Sequence, residues 1–469
     1  MRLLTKQVVG YIDAEHVACF VKRASSTTAP MTVDPIAEEA LRFPAAGAGQ
    51  ALPFVDLAFS LYLFIASLHE AVQEQDIRDL FFFSREGQFL KEMFDYFQTR
   101  NPDRVSVKSH YLEVSRRSSF LLSLGPLEDE TFDVLFRQYR RISLEAFLRS
   151  LALEDHVQEL ASELKIDAAV FGRVSEDLPE DPLFRRLRSA RLFHDLYERE
   201  RSARTAAFAR YVASFTGGRL PEVLHVVDVG WKGSIQDNVF NWLKRMCGEK
   251  ARVYGYYVGL VAPGAMTEHN RKTGLLFSNR AGLTPGFRIF NENRSLFEVL
   301  LPACHGAPAS YVVTDQGQPV VLRDSFVEQE MIERDVMPVA VEVMNRFRRI
   351  ADILAKTPMS RERLFALTCS RHGRIVFRPS AAEIQWMRSV SHVENFGVFN
   401  ESRFCAGEGG ASFPSRIRFT ARVVLNVLRK RSNDIGFWPY LTFRLRALYG
   451  VDGLYRRFRI WQESQGIKN

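Results

Sequence analysis

The sequence predicts an α/β fold: a mostly parallel, Rossmann-like sheet with a helical insertion and a helical, basic C-terminal tail. Three observations lead there. Runs such as "LFFF" (Leu80–Phe83) and "VLHVV" (Val223–Val227) have the length and apolar continuity of strands buried on both faces. Helical periodicity follows these runs, and strands alternating with helices build parallel sheets. Residues 126–216, by contrast, place apolar residues at three- and four-residue spacing with dense charge between them and no strand run.

Residues 1–50 read as a short N-terminal segment and linker, rich in small and chain-breaking residues ("RASSTTAPMTVDP", "PAAGAGQ"). The first part of the α/β domain spans 51–125. It opens with a long apolar helix over Leu52–Gln75. Strand Leu80–Phe83 then runs through the turn Ser84–Gly87 into a helix with Phe89, Met93, Phe94 and Phe97 on one face. A second strand, Val107–Val114, ends in Ser115-Arg116-Arg117. After the insertion at 126–216, the domain resumes over 217–410. Strand Val223–Val227 feeds "DVGWKGSIQDNV", and "RVYGYYVGL" is a fourth strand. "SLFEVLLPACHG" reads as a helix, "SYVVTDQGQPVVL" as a hairpin, and Phe326–Lys356 as a long helix. A further helix starts after Pro379, with Ser380 as its N-cap and Glu383 completing a capping box.

Charge separates the two ends of the chain. From Ser415 to Asn469 there are 12 Lys and Arg against 3 Asp and Glu, a net +9, so residues 1–414 carry −1 of the total +8. A nucleic-acid-coating protein would carry basic residues across its body as well. The basic tail, 411–469, interleaves arginines with Ile417, Val424, Leu425, Leu428, Phe437, Trp438, Tyr440, Phe443, Leu445, Tyr449, Phe458 and Trp461. That pattern suits an anionic membrane surface, the alternative being helices docked on the domain with their basic face in water. The most apolar run, Ala51–Leu68, contains Asp56 and reads as a buried helix, and the N-terminus lacks the apolar core of a signal peptide. The expected location is cytoplasmic, at the inner face of the membrane. The five cysteines are scattered and none has zinc-ligand spacing.

The loops "SREG", "SRRS" and "DVGWKGS" all fall at the carboxyl ends of strands, where open α/β sheets bind ligands. Gly230 and Gly233 allow close backbone approach, Ser234 adds a hydroxyl, and the helix start that follows offers free N–H groups and the positive end of its dipole to an anion. Lys232 adds a mobile charge. Asp228 suits sugar hydroxyls or a metal. Arg85, Arg116 and Arg117 suit phosphate, and Glu86 suits a base or a metal. Glu298, on an apolar helix face, needs a partner or a role. Each motif also has a plain structural reading: a capped glycine turn, a surface ion pair, solvated arginines and a helix-terminal His305. Together they imply a polyanionic, phosphorylated ligand with carboxylates for hydroxyls or Mg²⁺. The sequence contains no D-x-D, P-loop, G-x-S-x-G or H-E-x-x-H, which argues against the corresponding phosphatase, nucleotidase, hydrolase and metalloprotease chemistries.

"FFFSREGQFL", "YLEVSRRSSF" and "VVDVGWKGSIQ", followed by "LFEVLLPACHGAPASY" and "RPSAAEIQWMRSV", resemble in order the five motif blocks of a glycan phosphoribosyltransferase domain. That domain occurs in bacterial proteins of surface-polysaccharide (capsule and O-antigen) biosynthesis, often fused to a haloacid-dehalogenase-type phosphatase. The resemblance runs from about Leu52 to Val398. It implies transfer of ribofuranose 5-phosphate from phosphoribosyl pyrophosphate to a hydroxyl of a lipid-linked glycan, with Mg²⁺. The implied catalytic residues are Glu86, Asp228 and Glu298, with Glu86 and Asp228 as metal ligands. The implied donor contacts are Arg85, Gly87, Arg116, Arg117, Gly230, Trp231, Lys232, Gly233 and Ser234. Two departures stand out. The family's R-D-G has Glu86 in place of Asp, and no phosphatase domain precedes the motifs, so either a separate phosphatase is expected or the product keeps its 5-phosphate. The alternatives are a degenerate, non-catalytic membrane scaffold and a phosphohydrolase.

Overall fold

The computed structural model describes residues 34–42, 52–137, 139–264, 266–280, 282–395, 399–403, 412–429, 431, 433 and 435–466. Most of the predicted N-terminal segment, 1–33 and 43–51, lies outside them. The architecture is the expected α/β one. Five strands, β1 (Asp79–Phe83), β2 (Lys108–Leu112), β3 (Val223–Trp231), β4 (Arg252–Leu260) and β5 (Asn270–Ser278), form a wholly parallel sheet in the order β2-β1-β3-β4-β5.

The apolar runs are continuous because both faces of the sheet are covered. Leu80 and Phe82 of β1 point into a core with the helices Leu57–Glu74, Gly87–Thr99 and Met337–Lys356. Phe81 and Phe83 point the other way, toward Val239 and Trp242 of the helix Ser234–Cys247 and Phe208 of the helix Arg191–Phe215. The chain leaves β1 toward β2 and leaves β3 toward β4. The order therefore reverses between β1 and β3, and a crevice opens at their carboxyl ends.

Several elements differ from the sequence reading. β5 was not anticipated, because "NRKT" opens it with polar residues that read as loop. β3 continues four residues past Val227, so Gly230 lies in the strand, paired with Gly259, and the anion-type turn shortens to Lys232–Ser234. A Cβ on Gly230 would lie 2.1 Å from the Gly259 carbonyl oxygen, so only glycine permits this pairing. The helix predicted over 295–306 is a single turn, Leu296–Val299, because Pro302 bars helical backbone at Leu301. The long helix read from Phe326 starts as a short turn, Gln329–Met331, widens to a π-helical turn over Ile332–Val336 and becomes regular from Met337; Pro338, with no N–H to give, sits at that transition. The capping box of Ser380 and Glu383 and the hairpin Pro308–Val313/Pro319–Arg323 are as expected.

The insertion has its own apolar core, from Phe120 to Tyr197, built around Phe132, Phe147 and Phe184. The second half of Arg191–Phe215 leaves that core and packs its Ala207, Phe208 and Val212 against the sheet.

The tail does not stand apart from the domain. It folds into helices Phe413–Leu428, Pro439–Arg446 and Val451–Gly466. Trp438, Tyr440 and Leu441 enter the main core, and the Trp438 indole donates to the Val376 carbonyl at 2.9 Å. Buried Glu292 accepts from the Tyr440 N–H (3.0 Å), the Tyr455 hydroxyl (2.9 Å) and the Arg459 guanidinium (3.3 Å). Buried Glu463 accepts from the Gly286 and Arg288 N–H groups, at 2.7 and 3.0 Å. Docking accounts for these residues. The three aromatics Trp438, Tyr440 and Phe443, expected at a membrane surface, are instead buried.

Candidate active site

The crevice between β1 and β3 gathers most of the residues singled out from the sequence. β1 ends in Ser84, whose hydroxyl bridges to β2 through the Val114 carbonyl (2.9 Å) and fixes the loop that carries Arg85 and Glu86. The peptides Ser84–Arg85 and Gly230–Trp231 are both cis. Glu86 Oε2 accepts from the Arg85 N–H at 3.1 Å. Asp228, buried near the end of β3, accepts at Oδ1 from the Val229 N–H at 2.8 Å. Glu298 Oε1 accepts from the Trp231 indole N–H at 3.0 Å, so Trp231 places the third carboxylate. Its ring is stacked on Phe277 and covered on the Glu298 side by Arg294, 5.5 Å from the ring centroid.

Burial pushes the Asp228 carboxyl well above the usual carboxylate range, and the neighbouring negative charges of Glu86 and Glu298 push it further, against an opposing pull from Arg116. Three carboxylates thus share one region, with Arg116 beside Asp228 and Arg294 beside Glu298. Such an arrangement is relieved by a proton or by a cation. Glu86 and Asp228 offer hard oxygen ligands, which suits Mg²⁺ bound by one or two carboxylates plus phosphate. No group of three or more His, Cys, Asp or Glu among the described residues is placed to hold a metal unaided.

The anion-type turn is built from below. Gly233 has a left-handed backbone (φ +70°), and a Cβ there would meet the Lys272 side chain at 2.8 Å. Lys272 is fully buried; its Nζ donates to Asp237 Oδ2 (2.7 Å) and to the Lys232 carbonyl (3.2 Å). Gln236, also fully buried, donates to Asn270 and accepts from the Tyr257 hydroxyl, each at 2.7 Å. The polar run after Gly233 thus faces inward and locks the helix start onto β4 and β5. Lys232 and Ser234 remain exposed at the surface of the turn.

The other candidates are placed as follows. Arg85 pairs with Glu328 at 2.7 Å, with both side chains largely buried. A pocket beside this pair is lined by Arg85, Glu86, Glu298 and Glu328 and walled by Leu301 and Val336. Gly87 is the first residue of its helix. Arg117 is held by Asp324 (3.1 Å) and reaches the Arg149 carbonyl of the insertion, so it is engaged there rather than with the carboxylates. His305 Nε2 bonds the Tyr111 hydroxyl at 2.9 Å, beside the Arg85 loop. Sequence reasoning missed Arg294, Glu328, Tyr111 and Lys272. Only Arg294 carried a local signal, an opposite charge four residues before Glu298.

No family model matches the chain, and no curated protein matches it. No helix among the described residues is long and apolar enough to cross a membrane.

Proposed function

We propose that the protein is a glycosyltransferase that moves ribofuranose 5-phosphate from phosphoribosyl pyrophosphate to a hydroxyl of a bacterial surface glycan. The observation that carries this reading is the crevice at the β1/β3 strand-order reversal, where Glu86, Asp228 and Glu298 converge beside Arg116 and Arg294, next to a helix N-terminus. A sugar phosphate with a pyrophosphate leaving group has the matching parts: anions for the cations and the turn, and hydroxyls for the carboxylates.

The 5-phosphate sits on the N–H groups of the Gly233–Ser234 turn, with the Lys232 ammonium and Ser234 hydroxyl beside it. Asp228 accepts from the ribose hydroxyls, and Trp231, held by Phe277, forms an apolar wall. The pyrophosphate lies toward Arg116. Glu86 and Asp228 would hold Mg²⁺, which would supply charge neutralisation for pyrophosphate. As the C1–O bond breaks, positive charge grows on the ribose, and the carboxylates stabilise it. Glu86, or Glu298 oriented by Trp231, takes the acceptor proton, and attack from the face opposite pyrophosphate inverts the anomeric carbon. The pocket beside Glu86 and Glu298 is where the acceptor hydroxyl approaches.

A second reading, a non-catalytic scaffold, is favoured by one observation: Arg85 is already neutralised by Glu328. Calorimetry with phosphoribosyl pyrophosphate and Mg²⁺ separates the two. Saturable binding that weakens in Asp228→Asn supports the transferase, and no heat of binding at millimolar donor rejects it.

A further inference from the structure

The tail helix Phe413–Leu428 has three distinct sides. At 100° per residue, Phe413, Ile417, Ala421, Val424, Leu425 and Leu428 fall within about 120° of its circumference. Of these, Phe413 is 61% exposed, Val424 52% and Leu428 73%. Arg418, Arg422 and Arg429 occupy the next sector, and all are exposed. Arg416, Phe419 and Val423 lie on the remaining side and hold the helix to the domain; Arg416 donates to the Ala447 carbonyl at 2.6 Å. The last helix repeats the plan. Tyr455, Arg459 and Glu463 face inward, while Leu454, Phe458 and Trp461 face out at helical spacing, each at least half exposed.

We infer that these two outward faces form a membrane-docking surface that takes an anionic lipid bilayer, with the helices lying in the headgroup boundary. Folding leaves these apolar faces uncovered although the rest of each helix is anchored, and exposed apolar faces of this kind mark interaction sites. The helix Phe413–Leu428 contains three arginines, with a fourth, Arg429, at its C-cap, and no acid, so its electrostatic complement is anionic. Arginines beside an apolar stripe reach up to phosphates while their stems stay in the boundary. A second copy of the chain fits less well, since pairing these faces about a two-fold axis brings like arginines together. Residues 1–33 fit less well too: with Arg2, Lys6, Lys22 and Arg23 against Asp13 and Glu15, they are net basic. The inward-facing aromatics of the tail take no part; anchoring them is what makes the outer faces rigid.

The inference is independent of the transfer reaction, because it is tested without donor or acceptor. Full-length protein is mixed at low salt with vesicles of phosphatidylglycerol and phosphatidylcholine, or of phosphatidylcholine alone, and sedimented. Wild type should co-sediment with the anionic vesicles only, and high salt should release it. The pair Ile417→Glu/Val424→Glu, which alters only outward positions, should bind roughly ten-fold or more weakly. Trp461→Glu on the other helix should weaken binding in the same direction. Val327→Glu, at an equally exposed apolar position elsewhere (76% exposed), should bind as wild type. Melting curves that match wild type establish that the variants are folded. Equal sedimentation of wild type and the double variant, no preference for anionic lipid, or a wild-type dimer that the double variant converts to monomer without any vesicle binding would each overturn it.

Discussion

The crevice and the tail clasp both bury carboxylates, and they treat them in opposite ways. Glu463 receives two backbone N–H groups, and Glu292 receives an N–H, a phenol and a guanidinium. Those charges are spent on holding helices in place. In the crevice, Asp228 and Glu86 each accept one N–H from the adjacent peptide, and the charges of Glu86 and Glu298 press on Asp228 against the pull of Arg116. Burial raises the carboxyl pKa of both Glu292, to about 7, and Asp228, but donors oppose the rise at Glu292 whereas like charges add to it at Asp228. A buried acid with full partners is architecture; a buried acid pressed by neighbouring carboxylates is poised for a cation, a proton or a substrate hydroxyl.

The contrast breaks most readily at Asp228. Asp228→Asn should lower transfer by ~10²–10³-fold, the usual effect of losing one preorganised polar contact in a transition state. Because it removes a carboxyl whose ionisation is opposed by burial and by Glu86, it should also raise the melting temperature at neutral pH by roughly one to a few degrees. Turnover and thermal melting of one preparation check both, and a melting temperature several degrees lower would place Asp228 with the clasp acids. Glu463→Ala should do the reverse. Two buried N–H groups lose their acceptor, each worth about 1–3 kcal/mol, so denaturant unfolding should show a clear loss of stability while donor affinity in the folded protein stays near wild type. Glu86→Asp, which shortens the side chain by one methylene, should reduce turnover by ~10-fold or more if Glu86 takes the acceptor proton, since misplacement by about an ångström is felt at that level. Indifference of turnover to both Asp and Gln at this position would remove Glu86 from the mechanism.

The smallest effect is the dependence of stability on pH. Asp228 has a folded-state pKa above its unfolded value, so the native protein retains a proton that the unfolded chain has lost. The stability from this group is therefore fully present below the ordinary carboxylate range and is lost as pH rises through the raised value. Subtracting the Asp228→Asn curve of unfolding free energy against pH from that of wild type should leave a decline as pH rises above about 4. A flat difference would mean that Asp228 is not under electrostatic pressure.

The strands that frame the crevice were legible because a strand buried on both faces writes itself as an unbroken apolar run, as in Leu80–Phe83 and Val223–Val227. Asp228 and Glu86 were legible because they end such runs. β5 was hidden because Lys272, a residue type that normally marks surface, is buried there against Asp237, 35 residues earlier. Gln236 and Asn238 are hidden in the same way: polar residues after a glycine turn resemble a solvated helix face, yet both are buried, and Asn238 donates to the Ser119 hydroxyl at 3.2 Å. Periodicity locates apolar faces and says nothing of polar groups that find partners far along the chain. The Arg85–Glu328 pair, 243 residues apart, is of that kind. The tail was legible only in part for a related reason. Its composition suited a membrane throughout, but only tertiary packing separates Trp438 and Tyr440 from Phe413 and Trp461.

Trp438 also bears on how the chain is made. It closes a core whose other side is Phe54 and Val376, and its ring lies 6.0 Å from that of Phe54. Nearly four hundred residues separate Phe54 from Trp438, so a ribosome adding ~5–20 residues per second delivers the second ring many seconds after the first. Through that interval the apolar faces of Leu57–Glu74 await their last partners and are open to other nascent chains. Synthesis rate and chaperone supply, more than final stability, should therefore set how much of this protein reaches its folded form in a cell.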